Sequence, residues 1–252
     1  MNSTQVKFPT ADPSILDALR SFDSATVQNA AIFVRGYTPA EEDYSGPELR
    51  CMLPQTGTVA GYAMTAEKTV LRQVDDAAGN DAYYDSILRT DVPVIAVMVD
   101  IDDPPNRGAV WGDEMAHILA AMGVVGAVIG GCVRDVEGTG RAGCGLWATG
   151  RVPGHGPSSL VRHGKPVTVA DLNIYPGDIL VCDANGVTRI TADIAADVVT
   201  MAEKVQAKEA ATFDYFKQPD FTPQMYEQWR DSHGDGAWPQ GARPSIPPTG
   251  QK

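Results

Sequence analysis

The chain is predicted to be a mixed α/β protein, and three observations carry that prediction. Residues 94–99 and 124–129 are short β-branched apolar runs separated by a segment of helical period, the pattern of a parallel βαβ unit. Residues 146–190 read as a series of strands, punctuated by the turn signals Pro176-Gly177-Asp178 and Asn185-Gly186. Residues 192–216 then carry one long helical stripe. Residues 1–216 are expected to form one domain, and the proline- and glycine-rich residues 217–252 a C-terminal extension.

The elements follow in order. Residues 13–22 read as a short helix, with Ile15, Leu16 and Leu19 on one face. Residues 24–32 read as a second, capped by a serine or threonine. Residues 36–47 are a polar loop whose acids, Glu41, Glu42 and Asp43, are expected to form a solvated face. Residues 49–53 and 58–65 read as core strands, and residues 82–88 as the helix before the strand that starts near Val92. A proline-broken loop, residues 102–108, leads to Trp111-Gly112-Asp113, where Met115, Ile118, Leu119 and Met122 take up helical spacing until Gly123 stops them. After the strand at 124–129, residues 130–135 read as the loop at its carboxyl end. Residues 146–150, 166–170, 179–182 and 187–190 are the later strands. In the long helix the stripe runs Ile194, Val198, Met201, Val205, Thr212 or Phe213, and Phe216. Glu209 falls on that stripe, either as drift toward solvent or as an acid aimed at a pocket or subunit interface. Thr222-Pro223 is a helix start, and Met225, Tyr226 and Trp229 argue that this part of the extension packs on its own or a neighbouring subunit.

The βαβ unit is where chemistry is expected. Ligands of open α/β sheets gather at the carboxyl ends of strands, beside helix N-termini. Asp113 sits at or beside an N-cap, and Arg134 and Asp135 leave the neighbouring strand at the same edge. An acid, a fixed cation and a second acid can therefore converge with the backbone N–H groups of Gly112 to Ala116. Carboxylates can hold a hard divalent cation, and an arginine with a helix N-terminus can hold a carboxylate. An isolated Arg-Asp pair is more often a structural ion pair, so the spacing alone leaves both readings open.

Composition narrows the field. The 252 residues carry a formal net charge of −12, which argues against a nucleic-acid-binding surface and suits a soluble protein. Cys51, Cys132, Cys144 and Cys182 lack CxxC spacing and are read as free thiols. Residues 1–10 contain no apolar core of a signal peptide, and no run approaches a membrane span, so a cytoplasmic protein is expected. Residues 138–143 match GxGxxG literally, but a dinucleotide fingerprint follows a strand and opens a helix, whereas a strand-like segment comes next. The segment is read as a flexible loop. Cys132 beside Arg134 reads as a small buried residue, and His155 and His163 as exposed loop histidines. No suitably placed lysine is read near the site loop, which weakens a Schiff-base route.

Asp113, twenty residues, then Arg134-Asp135 resembles the signature of the RraA-like / 4-hydroxy-4-methyl-2-oxoglutarate aldolase family. Its frame matches too: Gly112, Gly123, Gly126, residues 147–150 followed by Pro153, residues 164–167, 176–178 and 183–187. The resemblance covers roughly residues 16–216. It implies a layered α/β/β/α fold of the swivelling β/β/α type, assembled as trimers or hexamers with sites between subunits. It also implies a class II pyruvate aldolase that uses Mg2+ or Mn2+, cleaves 4-hydroxy-2-oxo acids to pyruvate and a second oxo acid, and decarboxylates oxaloacetate. By that likeness Asp135 holds the metal with Asp113 assisting, Arg134 binds the oxo acid and stabilises the enolate, and backbone groups at Gly112, Glu114 and Met115 grip the substrate carboxylate. Glu209, with Glu203 as competitor, is the acid that a late helix sends into a neighbour's site. The resemblance keeps two other readings open: a non-catalytic regulator of ribonuclease activity, and another metal-enolate enzyme such as a sugar-acid dehydratase or isomerase.

Overall fold

The structure, a computed structural model, describes residues 12–75 and 77–233. The first eleven residues and the tail from residue 234, with Pro239, Pro244, Pro247 and Pro248, lie outside the described residues. The elements run α1 (Pro13–Leu19), α2 (Ser24–Arg35), β1 (Arg50–Cys51), β2 (Val59–Thr69), α3 (Gly79–Leu88), β3 (Val94–Asp100), β4 (Ala109–Trp111), α4 (Asp113–Ala120) and β5 (Val124–Val133). They continue with α5 (Val136–Arg141), β6 (Gly145–Arg151), β7 (Ser159–His163), β8 (Val167–Val169), β9 (Leu172–Ile174), β10 (Ile179–Asp183), β11 (Gly186–Ile190), α6 (Ala195–Phe216) and α7 (Pro223–His233). The fold is mixed α/β, as the sequence predicts.

Nine strands make one sheet in the order β1-β6-β5-β3-β2-β10-β11, with β4 beside β5 and β7 beside β2. Strands β2, β3, β5 and β6 are parallel, so their carboxyl ends share one edge. Period-2 alternation sorts the core. Ala60, Tyr62, Met64 and Ala66 of β2 face the helices, whereas Val59 and Ala63 face the other side. Helices α3, α4 and α5 cover one part of the helical face through Tyr83, Ile87, Leu119 and Val136. Helices α1, α2 and α6 cover the β10–β11 part through Leu16, Leu19, Val27 and Val198. The opposite face curls nearly closed around Ile95, Val97, Val128, Trp147 and Leu180, and the β8–β9 hairpin plugs it with Val169, Leu172 and Ile174. Each fully buried aliphatic side chain there contributes about 1.5–3 kcal/mol. Trp147 lies in the same interior and donates its indole N–H to the Asp183 carbonyl at 2.7 Å.

Several expectations are corrected. The cap of α2 is Asp23, whose carboxylate accepts from Thr26 N–H at 2.6 Å, rather than a serine or threonine. Strand β5 runs on to Val133, so residues 130–133 are ladder rather than loop, because they pair with β3, β4 and β6. Residues 138–143 are read as a flexible glycine loop, but 138–141 belong to α5; the Trp111 indole donates to Thr139 Oγ1 at 3.2 Å and ties the helix to β4. Glu41, Glu42 and Asp43 are not a uniformly solvated face. Asp43 is buried against Arg35 and Gln28, and Glu42 accepts from Arg189 and Asn173. His163 lies on β7, half-buried with its ring edge-on to Tyr83, and not on an exposed loop. The short strands β4, β7 and β9 are additions to the expected set.

The helix expected to start at Thr222-Pro223 forms as α7 and packs on the end of α6. Thr222 Oγ1 accepts from Met225 N–H at the start of α7, and Tyr215 donates its hydroxyl to the Met225 carbonyl at 2.8 Å. The Phe216 ring packs against Phe221 and Trp229 at centroid distances of 5.2 and 5.0 Å. All four cysteines are free thiols. Among the described residues no helix is long and apolar enough to cross a membrane.

Candidate active site at the parallel edge

Two chain segments bring the predicted residues together. Strand β4 ends at Trp111, Gly112 caps α4 in extended conformation, and Asp113 is the first helical residue. Strand β5 ends one step away: Arg134 N–H donates to the Trp111 carbonyl at 3.0 Å. Asp135 follows with a left-handed backbone, φ 53° and ψ 45°, and opens α5. Its carboxylate meets the Arg134 guanidinium at 3.1 Å (Nε to Oδ2). Gly112 leaves room for this closeness, since a Cβ there would lie 3.2 Å from Asp135 Oδ2 and 3.3 Å from Arg134 Nε and would press on both side chains. Gly138 plays the same part for Asp113, whose Oδ2 would be 2.6 Å from an added Cβ.

The Arg134–Asp135 pair is more than a third exposed at both side chains. Such pairs contribute about 0–1 kcal/mol, so stability does not account for a strained aspartate and a glycine that serve it.

Arg134 lines a cleft of about 150 Å³ together with Gly112, Glu114, Met115, His155 and Lys68. The first-turn N–H groups of α4 have no intrahelical acceptor and lie on this side. The Ala116 N–H is already bonded to the Gly112 carbonyl, so the expected row of donors is one shorter. Among the described residues, larger depressions of about 580, 430 and 300 Å³ lie elsewhere. None of them pairs an acid with a cation among its lining residues, as the smaller cleft does with Glu114, Lys68 and Arg134.

Lys68 corrects the expectation that no lysine stands near the site. It belongs to β2, whose parallel pairing with β3 carries its carboxyl end to the same edge, far from residues 130–135 in sequence. The signal was present: Lys68 shares a strand face with Met64 and Ala66, so period 2 points it into the protein. Burial lowers its pKa to about 8. The loop after β3 is pinned beside it. Asp100 accepts from the Asp102 and Asn106 N–H groups at 3.0 and 2.8 Å. Asp102 accepts from the Thr69 hydroxyl and from the Val70 and Leu71 N–H groups at 2.7 and 3.1 Å.

Of the predicted site residues, Gly112, Glu114, Met115 and Arg134 line the cleft, and Asp113 and Asp135 adjoin it through Gly112 and Arg134. Glu209 is half-buried on α6 and Glu203 exposed on the same helix; within one chain neither lines the cleft. Cys132 is buried, as read, and its Sγ faces Asn106. His155 is an exposed loop histidine, as read, and its loop forms part of the cleft wall. Among the described residues no cluster of three acid, histidine or cysteine side chains could cage a metal. A divalent ion such as magnesium needs fewer, because it keeps several waters and commonly takes one or two carboxylates. Asp113 and Asp135, one following Gly112 in sequence and the other packed against it, fit that smaller demand.

Comparison with known proteins agrees with this architecture. A structure of an uncharacterized protein from Pseudomonas syringae superposes with a TM-score of 0.69 at 24% identity, covering 90% of this chain and 100% of that one. The protein DlpA of Legionella pneumophila is 29% identical over 160 residues, 62% of this chain and 25% of its own length. A protein of Halalkalibacterium halodurans named "Putative 4-hydroxy-4-methyl-2-oxoglutarate aldolase" is 25% identical over 141 residues, 56% of this chain and 67% of its own length. Residues 15–189 match the RraA-like family model, described as Aldolase/RraA, and the chain belongs to that family.

Proposed function

We propose that the protein is a divalent-metal-dependent lyase acting on small 2-oxo acids. In this reading it cleaves a 4-hydroxy-2-oxo acid to pyruvate and a second oxo acid, and decarboxylates oxaloacetate. The observation that carries the reading is the Arg134–Asp135 pair set against Gly112 at the N-terminus of α4, in a cleft with two cations. The aldolase names borne by relatives support the reaction class.

Both reactions leave an enolate, so the site must bind a carboxylate and hold negative charge where it develops. The Glu114 and Met115 N–H groups, with the positive end of α4, suit the substrate carboxylate. Arg134 offers a planar, permanently charged fork to the 2-oxo group and to the enolate oxygen. Asp135, with Asp113 assisting, would hold Mg2+ or Mn2+, which supplies Lewis-acid stabilisation of that same charge. Asp135 also fixes the Arg134 guanidinium from one side. Glu209 enters the reading only through assembly: it would reach the site of a neighbouring subunit in a trimer or hexamer and orient water there.

Pyruvate release from oxaloacetate and from 4-hydroxy-4-methyl-2-oxoglutarate, with magnesium or manganese and then with EDTA, tests the reading. Metal-dependent release lost on chelation is expected. No release from either substrate by a folded, metal-supplemented protein would overturn it.

A further inference from the structure

Lys68 is a buried cation without an anion. The residue is 6% exposed, and its ammonium donates to the Val110 carbonyl at 2.9 Å. Among the described residues no carboxylate pairs with it. The acids nearest in the strands are engaged elsewhere. Glu67 pairs with Arg162, Asp100 accepts from two backbone N–H groups, and Asp102 accepts from Thr69, Val70 and Leu71. Glu114 lines the same cleft without reaching it. An ammonium has three donors, and burying it with one neutral acceptor is costly. An apolar side chain would suit this position better, since Met64 and Ala66 precede it on the same strand face.

The cation also has a place to act. Strand β3 lies between β5 and β2 in the sheet, so Arg134 and Lys68 enter the cleft from strands roughly 10 Å apart. A cleft of about 150 Å³ between them admits only a small ligand. Burial lowers the lysine pKa only to about 8, which leaves it mostly charged at neutral pH. We propose that Lys68 is the cleft's second anion-binding residue, taking one carboxylate of a substrate that carries two while Arg134 and the α4 N-terminus take the other. The proposal rests on the lyase reading of this cleft and assigns a residue to the second carboxylate of such a substrate.

Malonate and propionate, both of three carbons and differing by one carboxylate, separate the two cations without any turnover. Their dissociation constants are measured by calorimetry on the full chain in EDTA at matched ionic strength. The wild type is expected to prefer malonate by tenfold or more, the scale of one charge-assisted hydrogen bond. Lys68→Met is expected to bring the two ligands within about twofold of each other. The unliganded variant should melt at or above the wild type, because an uncompensated charge has been removed. A malonate preference that survives in Lys68→Met, or is absent from the wild type, overturns the proposal. Lys68→Gln keeps a donor to Val110 and carries the same expectation; loss of the fold in both variants would make Lys68 structural and also overturns it. Loss of the preference alongside a failure to cleave oxaloacetate would refute the lyase and leave Lys68 assigned. Wild-type KM for oxaloacetate in Lys68→Met would do the reverse.

Discussion

Gly138→Ala is the sharpest probe of how the site is held. The substituted Cβ would lie 2.6 Å from Asp113 Oδ2 and 2.9 Å from its Cγ, closer than real Cβ atoms approach anything. Its crowding includes atoms near the Asp113 backbone, so rotating the carboxylate does not remove it, and α4 and α5 must part or Asp113 must move. Overpacking of this kind costs about 1–3 kcal/mol. Alanine returns up to about 1 kcal/mol as the better helix former, which leaves a net loss of about 1 kcal/mol. For a domain of this size that is a fall in Tm of roughly 2–4 °C. Activity should suffer more, since a displacement near 1 Å at a site can cost about 10²-fold. The control sits two residues on: Gly140→Ala meets only the flexible end of Leu53, at 3.3 Å from Cδ2. It should keep activity and melt no lower than the wild type. The assay is metal-supplemented pyruvate release with thermal unfolding followed by circular dichroism. If Gly138→Ala matched Gly140→Ala in both, the seam between α4 and α5 would not position Asp113, and the reasoning would fail.

Two further predictions concern charge. Arg134→Ala and Asp135→Asn should each abolish pyruvate release while shifting stability by no more than about 1 kcal/mol, because the pair is half-exposed; retained turnover in both would remove the site from this edge. Burial pushes the Asp102 carboxyl up, but the bonds from Thr69, Val70 and Leu71 outweigh it and hold the pKa below the usual value. Its stabilisation is therefore complete above the unfolded pKa and lost as pH falls through the folded one. Asp102→Ala leaves buried donors without an acceptor and should cost about 1–3 kcal/mol near neutral pH, with the gap to wild type closing in acid. Urea unfolding at pH 7 and pH 3 measures both.

The site residues most legible in the sequence were those carried by one local unit. Asp113 and Arg134-Asp135 belong to a single strand–helix–strand segment, so hydrophobic period alone brought them to one edge. For Lys68 period 2 gives only the inward direction: its place at this edge depends on β2 pairing with β3 across an intervening helix. Helix α5 failed as a reading because its glycines lower helix propensity, whereas the Trp111–Thr139 bond and the packing on α4 override it. Strands of three residues, such as β4 and β9, hold too little alternation to be seen without their partners. Asp43 looked like one of three surface acids until Arg35 and Gln28 folded over it.

If Asp135 holds the metal as proposed, its left-handed backbone sets selection for stability against selection for chemistry. Glycine occupies that conformation without a steric penalty, and an aspartate does not. A gene copy released from its reaction therefore has an easy gain at this position, and glycine there removes the carboxylate in the same step. A relative that keeps Gly112 and Gly138 but carries glycine at the position of Asp135 would have held its frame and left its chemistry. Sorting the family at that one residue would divide enzymes from proteins that have turned the same scaffold to another use.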